Sequence, residues 1–159
     1  EKYRVLGVAV HRMMEAWSRD EVEAPGRILD RLLERRHPDR AWVEREMEKD
    51  HRRMEETRFF QRFEGARLQP EVPVLDYIRT EGRADRVVTG IIDLLAVFPG
   101  RVEFYDYKAT RVEPGREEAQ AERYRRQMGL YRAALSDIFS LPVTGYLVFT
   151  ATGGLAECP

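Results

Sequence analysis

The stretch "GIIDLLAVFPGRVEFYDYKAT" (residues 90–110) constrains this chain more than any other. Apart from Asp93, the run from Ile91 to Phe98 is apolar, the composition of a strand buried in a sheet. Pro99-Gly100 breaks the run, and a second strand-like stretch follows that carries Asp106, Tyr107 and Lys108. With Pro99 and Gly100 as the two central residues of a tight turn, Phe98 pairs with Arg101. Asp93 then falls opposite Asp106, with Cβ atoms about 4.5–5.5 Å apart. Side-chain alternation puts Lys108 on the same face as Asp106. Pro-Gly favours a type II turn, whereas two-residue hairpins favour the primed types, so a longer loop or a bulge would shift this pairing by a residue.

Two carboxylates opposed in an apolar sheet need compensation. They can share a proton or hold a cation between them. Alternatively, Asp106 and Lys108 form a structural ion pair while Asp93 caps a strand end. Hard oxygen ligands with open positions suit Mg²⁺ or Mn²⁺. Lys108 stands out for another reason: 24 of the 27 basic residues are Arg, and the other two lysines, Lys2 and Lys49, lie in charged surroundings.

The rest of the chain reads as one domain of 159 residues. Residues 2–18 carry Leu6, Val10, Met13, Met14 and Trp17 at helical spacing. A short helix follows around 27–36, then a charged helix over 38–64 that reads as a solvated cover. Residues 66–78 read as an edge strand, because Pro70 and Pro73 exclude them from a sheet centre. Strands are expected over 85–98 and 101–109, a helix over about 117–140, and a final strand over 143–150. The helical part is thus about 1–65 and the sheet with its helix about 66–150. A formal charge of −1 confines any basic surface to a local patch. No apolar run approaches the roughly 18 residues of a membrane span, and no signal peptide is evident. The single cysteine, Cys158, excludes disulfides, cysteine-ligated zinc and iron–sulfur clusters within the chain, and a cytoplasmic setting is expected.

Asp, twelve intervening residues, then Asp-x-Lys on a hairpin resembles the core motif of the PD-(D/E)XK nuclease superfamily. "GIIDLLAV" and "FYDYKAT" resemble the "G-x-IDL" and "DYKT" strings of the RecB-like nuclease domains found at the ends of UvrD-type helicases, as in AddA and RecB. Upstream, "GVAVHRMME" resembles their first motif, in which a Gly precedes a metal-binding His by four residues; Gly7, His11 and Glu15 share one helical stripe. Gly7 is expected to let this helix approach the sheet closely. Downstream, Gln127-x-x-x-Tyr131 resembles the Gln-x-x-x-Tyr motif, whose two residues share a helical face. Ala109 stands where Thr commonly follows the lysine.

The resemblance implies an α/β restriction-endonuclease-like core (αβββαβ), a mixed sheet flanked by helices, with an extra helical insert at 38–64. It implies a metal-dependent DNA exonuclease domain, cut from a larger helicase–nuclease that acts in double-strand break repair and recombination. His11, Asp93, Asp106 and the carbonyl of Tyr107 would bind Mg²⁺ or Mn²⁺, and no iron–sulfur cluster is expected. Asp93, Asp106 and Lys108 would be catalytic, with Lys108 orienting or deprotonating water and stabilising the transition state. Gln127, Tyr131, Arg111 and Arg126 would contact DNA, either a single strand or a linear duplex end. Partners would be a helicase domain in the same chain and a second helicase–nuclease polypeptide. The alternatives are an inactive nuclease-like DNA-binding or docking module and a self-standing end-processing exonuclease.

Overall fold

The computed structural model describes residues 1–78 and 86–158. The first helix, α1 (Lys2–Ser18), buries Leu6, Ala9, Val10, Met13 and Met14 along one stripe. Pro25 at the first turn starts α2 (Pro25–Leu32). The charged stretch forms α3 (Arg40–Glu56), and it is not the solvated cover its composition suggests. Val43, Met47, Asp50 and Met54 form a buried stripe against α1 and α2. Nor does α3 continue to residue 64. Arg58 adopts a left-handed conformation (φ 56°), which ends the helical path and starts a 3-10 turn over Phe59–Phe63.

Five strands follow as one sheet in the order β1 (Arg67–Ile78), β2 (Arg86–Val97), β3 (Val102–Lys108), β4 (Val143–Phe149) and β5 (Gly154–Cys158). Pro70 and Pro73 lie on an edge strand, as expected. The expected start of β2 at residue 85 lies outside the described residues. The strand expected at 143–150 is not the last: β5 follows it and pairs with it antiparallel, Leu147 opposite Ala156. All neighbouring strands are antiparallel except β3 and β4, whose parallel pairing needs a helical crossover. That crossover is broken rather than continuous over 117–140, running through α4 (Glu117–Ala121), a 3-10 turn (Glu122–Tyr124) and α5 (Arg125–Ile138). One sheet face packs on α1, α2, α3 and the Phe59–Phe63 turn; the other packs on α4 and α5. The sheet is therefore mixed and helix-flanked. Among the described residues no helix is long and apolar enough to cross a membrane.

Pro99-Gly100 does form the tight turn, since Phe98 donates its N–H to the Arg101 carbonyl at 2.9 Å. The β2–β3 register follows from it: Val97 faces Val102 and Leu94 faces Tyr105. Ladder pairing stops there, one step before Asp93 and Asp106. On the other side of β2, β1 pairs continuously except opposite Asp93, where Glu71 takes a left-handed conformation (φ 53°). Alternation breaks at the same level. Leu94, Ala96 and Phe98 face the α1–α3 layer, yet Ile92 faces α5; Leu68 and Val72 on β1 divide in the same way. The β1–β2 ribbon thus turns over at Glu71 and Asp93, which frees Asp93 from both neighbouring ladders.

Candidate active site

Freed from the ladder, the Asp93 carboxylate takes the place of a strand partner. Its Oδ2 accepts the backbone N–H of Tyr107 at 2.6 Å. His11 reaches the same oxygen from α1, with Nε2 at 3.2 Å. That nitrogen also lies 2.9 Å from the Tyr107 carbonyl oxygen. Both neighbours are acceptors, so Nε2 carries the proton here. Burial opposes a charge on His11, but the hydrogen bond and field of Asp93 outweigh it and raise its pKa above the usual imidazole range.

Asp106 and Lys108 form the second half of the site. Lys108 Nζ lies 2.5 Å from Asp106 Oδ2, and its ammonium sits over the Tyr124 ring, 4.2 Å from the centroid. Asp106 is 5% exposed. Burial raises its pKa, with the repulsion of Asp93 added and the attraction of Lys108 opposing. Its Oδ2 has no partner of hydrogen-bond geometry. Among the described residues no three His, Cys, Asp or Glu side chains already converge on one point, because Asp106 is turned to Lys108. What converges is the set His11 Nε2, Asp93 Oδ2 and Tyr107 O, with a proton between them. The donor chemistry suits a divalent ion: two carboxylates, a carbonyl oxygen and an imidazole that a metal would bind at the nitrogen now protonated.

The sequence pattern of the PD-(D/E)XK nuclease superfamily matches residues 1–154. The chain belongs to this superfamily. Two curated relatives are corresponding polypeptides of ATP-dependent helicase/nucleases, of the AddA kind in both organisms. The one from Desulforudis audaxviator is 39% identical over 71 residues, 45% of this chain and 6% of the relative. The one from Streptococcus mutans is 42% identical over 65 residues, 40% of this chain and 5% of the relative. The chain thus spans only a small part of the length of the curated relatives it matches. Among solved structures, a protein from Eubacterium rectale provisionally named an exonuclease superposes with a TM-score of 0.55. It is 11% identical, with 97% of this chain and 59% of that one covered, a likeness of fold.

Within this PD-(D/E)XK domain the remaining expected site residues separate. Tyr131 is 3% exposed, so its ring is not presented for stacking. It packs edge-on against Phe104 and accepts a hydrogen bond from the Gln127 amide at 3.1 Å. A Cβ on Gly90 would lie 2.3 Å from the Tyr131 hydroxyl, so the glycine of "GIIDLL" makes room for the tyrosine of the later motif. Gln127 and Arg126 are exposed on α5. Arg111 is turned the other way, against Asp50 of α3 at 2.6 Å. Gly7 fails its expected purpose: a Cβ there would meet nothing within 4 Å, so close approach to the sheet does not require it. Glu15 is held by Arg12 at 2.6 Å and Arg19 at 3.1 Å on the stripe below His11.

Two residues near the site escape sequence reasoning. Glu71 lies opposite Asp93 in the β1–β2 register, and burial, then the charges of Asp93 and Glu15, raise its pKa. Its only sequence signal is a carboxylate on an edge strand between two prolines. Tyr124 caps the Lys108 ammonium from the start of α5, and no residue spacing announces a contact made across the crossover.

Proposed function

We propose that this domain is a divalent-metal-dependent deoxyribonuclease that works on DNA ends as an exonuclease, within a longer cytoplasmic helicase–nuclease serving double-strand break repair and recombination. One observation carries the reading. The Asp93–His11–Tyr107 cluster adjoins an ion pair of Asp106 with Lys108, the only one of the chain's three lysines drawn into buried surroundings. The likeness to the two helicase/nuclease polypeptides supports the helicase context and, with it, a second nuclease polypeptide working on the other strand.

His11, Asp93, Asp106 and the Tyr107 carbonyl would hold Mg²⁺ or Mn²⁺. A bound ion lowers the pKa of a water and neutralises charge growing on the scissile phosphate. The chain's own groups supply the rest. Lys108 presents a compact ammonium that can orient or share a proton with the attacking water, which an arginine does poorly. Asp106 keeps that amine charged and near, and the Tyr124 ring holds it from the opposite side. The apolar layers under β2 and β3 limit water around these charges and strengthen their mutual interactions. At the protein surface, Gln127 and Arg126 are the reachable groups for a strand entering along α5, and Arg126 would give salt-dependent phosphate contact. Arg111 and Tyr131 are left out of the DNA interface because both are engaged inside the fold.

The test is cleavage of end-labelled linear DNA across a Mg²⁺ and Mn²⁺ titration, with Lys108→Ala alongside. Cleavage should need the metal, stop in EDTA, and fall on the order of 10²–10³-fold in the variant. Activity that persists in EDTA, or that Lys108→Ala leaves unchanged, contradicts the proposal.

A further inference from the structure

We propose that Asp50, on α3, is a positioning residue for Lys108, acting through Thr150 and Arg111. This rests on the nuclease reading above. Asp50 is a carboxylate set in an apolar stripe, between Met47 and Met54, and is 1% exposed. A buried charge of this kind costs several kcal/mol unless it is paired and hydrogen-bonded. It has two partners, both remote in sequence. Arg111 Nη1 donates to Oδ1 at 2.6 Å, and Thr150 Oγ1 donates to Oδ2 at 2.7 Å. Burial still raises the Asp50 pKa against their pull.

Both partners are tied to the strand end that bears Lys108. Fully buried Thr150 donates its backbone N–H to the Lys108 carbonyl at 3.1 Å. Arg111 is three residues beyond Lys108. The β3–β4 ladder ends at Lys108 opposite Phe149, so past that point this network replaces the sheet in holding the backbone. Lysine has a long, flexible stem, and where its ammonium sits depends on where its Cα is anchored. Asp106 lies inside the ladder, opposite Leu147, and does not depend on Asp50 in this way. The helical insert whose sequence carries no motif thus fixes the backbone of the proposed catalytic lysine from behind. Misplacement by about 1 Å costs on the order of 10²-fold in rate.

The experiment compares wild type, Asp50→Ala, Asp50→Asn and Thr150→Val with saturating Mn²⁺ and linear DNA, at a temperature where circular dichroism shows each variant folded. Amide exchange at Thr150 is followed in parallel. Asp50→Ala and Thr150→Val should lower kcat about 10–100-fold. KM should stay within about twofold, since metal and DNA contacts are untouched. The Thr150 amide should exchange faster in both. Asp50→Asn, which can still accept from Arg111 and meet the Thr150 hydroxyl, should keep kcat within about threefold. A purely structural role predicts a lower melting temperature with unchanged kcat per folded molecule, and that result overturns the proposal. So does a loss in Asp50→Asn as large as in Asp50→Ala, which would make the charge and not the geometry responsible. Should Asp50→Ala not fold, Thr150→Val carries the same test. Metal-dependent cleavage by wild type with unchanged kcat in the variants defeats this inference alone; absence of cleavage in wild type defeats the nuclease reading with it.

Discussion

Gly90 offers a test in which the sign of the effect decides. In a strand interior, glycine ordinarily costs about 0.5–1 kcal/mol relative to alanine, so Gly90→Ala at an open position should stabilise. Here the added methyl would meet three Tyr131 atoms at 2.3, 2.7 and 2.8 Å. Tyr131 cannot simply swing away, because its hydroxyl takes the Gln127 hydrogen bond and its ring packs on Phe104. Overpacking of this kind costs about 1–3 kcal/mol, which exceeds the propensity gain and leaves a net loss of about 1–2 kcal/mol. For a domain of this size that is a fall in Tm of about 2–8 °C. The assay is thermal unfolding of wild type, Gly90→Ala, Tyr131→Leu and the double variant. With the ring gone, Gly90→Ala should become neutral or stabilising, a coupling of about 1–2 kcal/mol. A stabilising Gly90→Ala in the wild-type background, or an additive cycle, would refute the seating of Tyr131 on β2.

Further outcomes follow from the charges and the backbone. The raised His11 pKa means its contact with Asp93 stabilises the metal-free protein below the unfolded imidazole value of about 6.5, and that contribution is lost as pH rises through the folded value. The Tm difference between wild type and His11→Gln, measured against pH, should therefore shrink upward through that window. Asp106 behaves oppositely. Its folded pKa lies above the unfolded one, so stability falls as pH rises between the two values, and the cost remains at neutral pH. Asp106→Asn should abolish cleavage yet raise the Tm of the metal-free protein by about 2–4 °C, equivalent to about 1 kcal/mol. Arg58 holds φ 56° at the break between α3 and the Phe59–Phe63 turn, and Arg58→Gly should stabilise by up to about 1 kcal/mol in chemical denaturation.

How much can be read from the sequence depends on the range of the interaction. The β2–β3 hairpin is legible because a two-residue turn sets its own register, so Asp93 and Asp106 can be placed across from each other without any tertiary knowledge. Pro70 and Pro73 likewise mark an edge locally. The stripe Val43, Met47, Asp50, Met54 is hidden because a charge interrupts it, and only the remote donors Arg111 and Thr150 make that charge tolerable. β5 is five residues long and follows Gly153, whose positive φ of 70° closes the turn from β4; a short strand beside two glycines looks like loop until a neighbour supplies its pairing. The reversal at Glu71 and Asp93 has no sequence signal, since both strands change face together and the register is preserved. It is also what turns Asp93 from a ladder residue into a ligand candidate. Residue type alone assigns Arg111 and Tyr131 to DNA, and it cannot tell an exposed arginine or ring from one engaged within the fold.

The central claim is that His11, Asp93 and Asp106 take up one divalent ion at the place a proton and an ammonium now balance. Calorimetric titration of Mn²⁺ into the wild-type protein and into Asp93→Asn tests it most directly. Saturable binding is expected in the wild type, with a heat that changes with the ionisation enthalpy of the buffer because His11 gives up its proton, and loss of that binding in Asp93→Asn. No binding to the wild type, or binding that Asp93→Asn leaves intact, would contradict it.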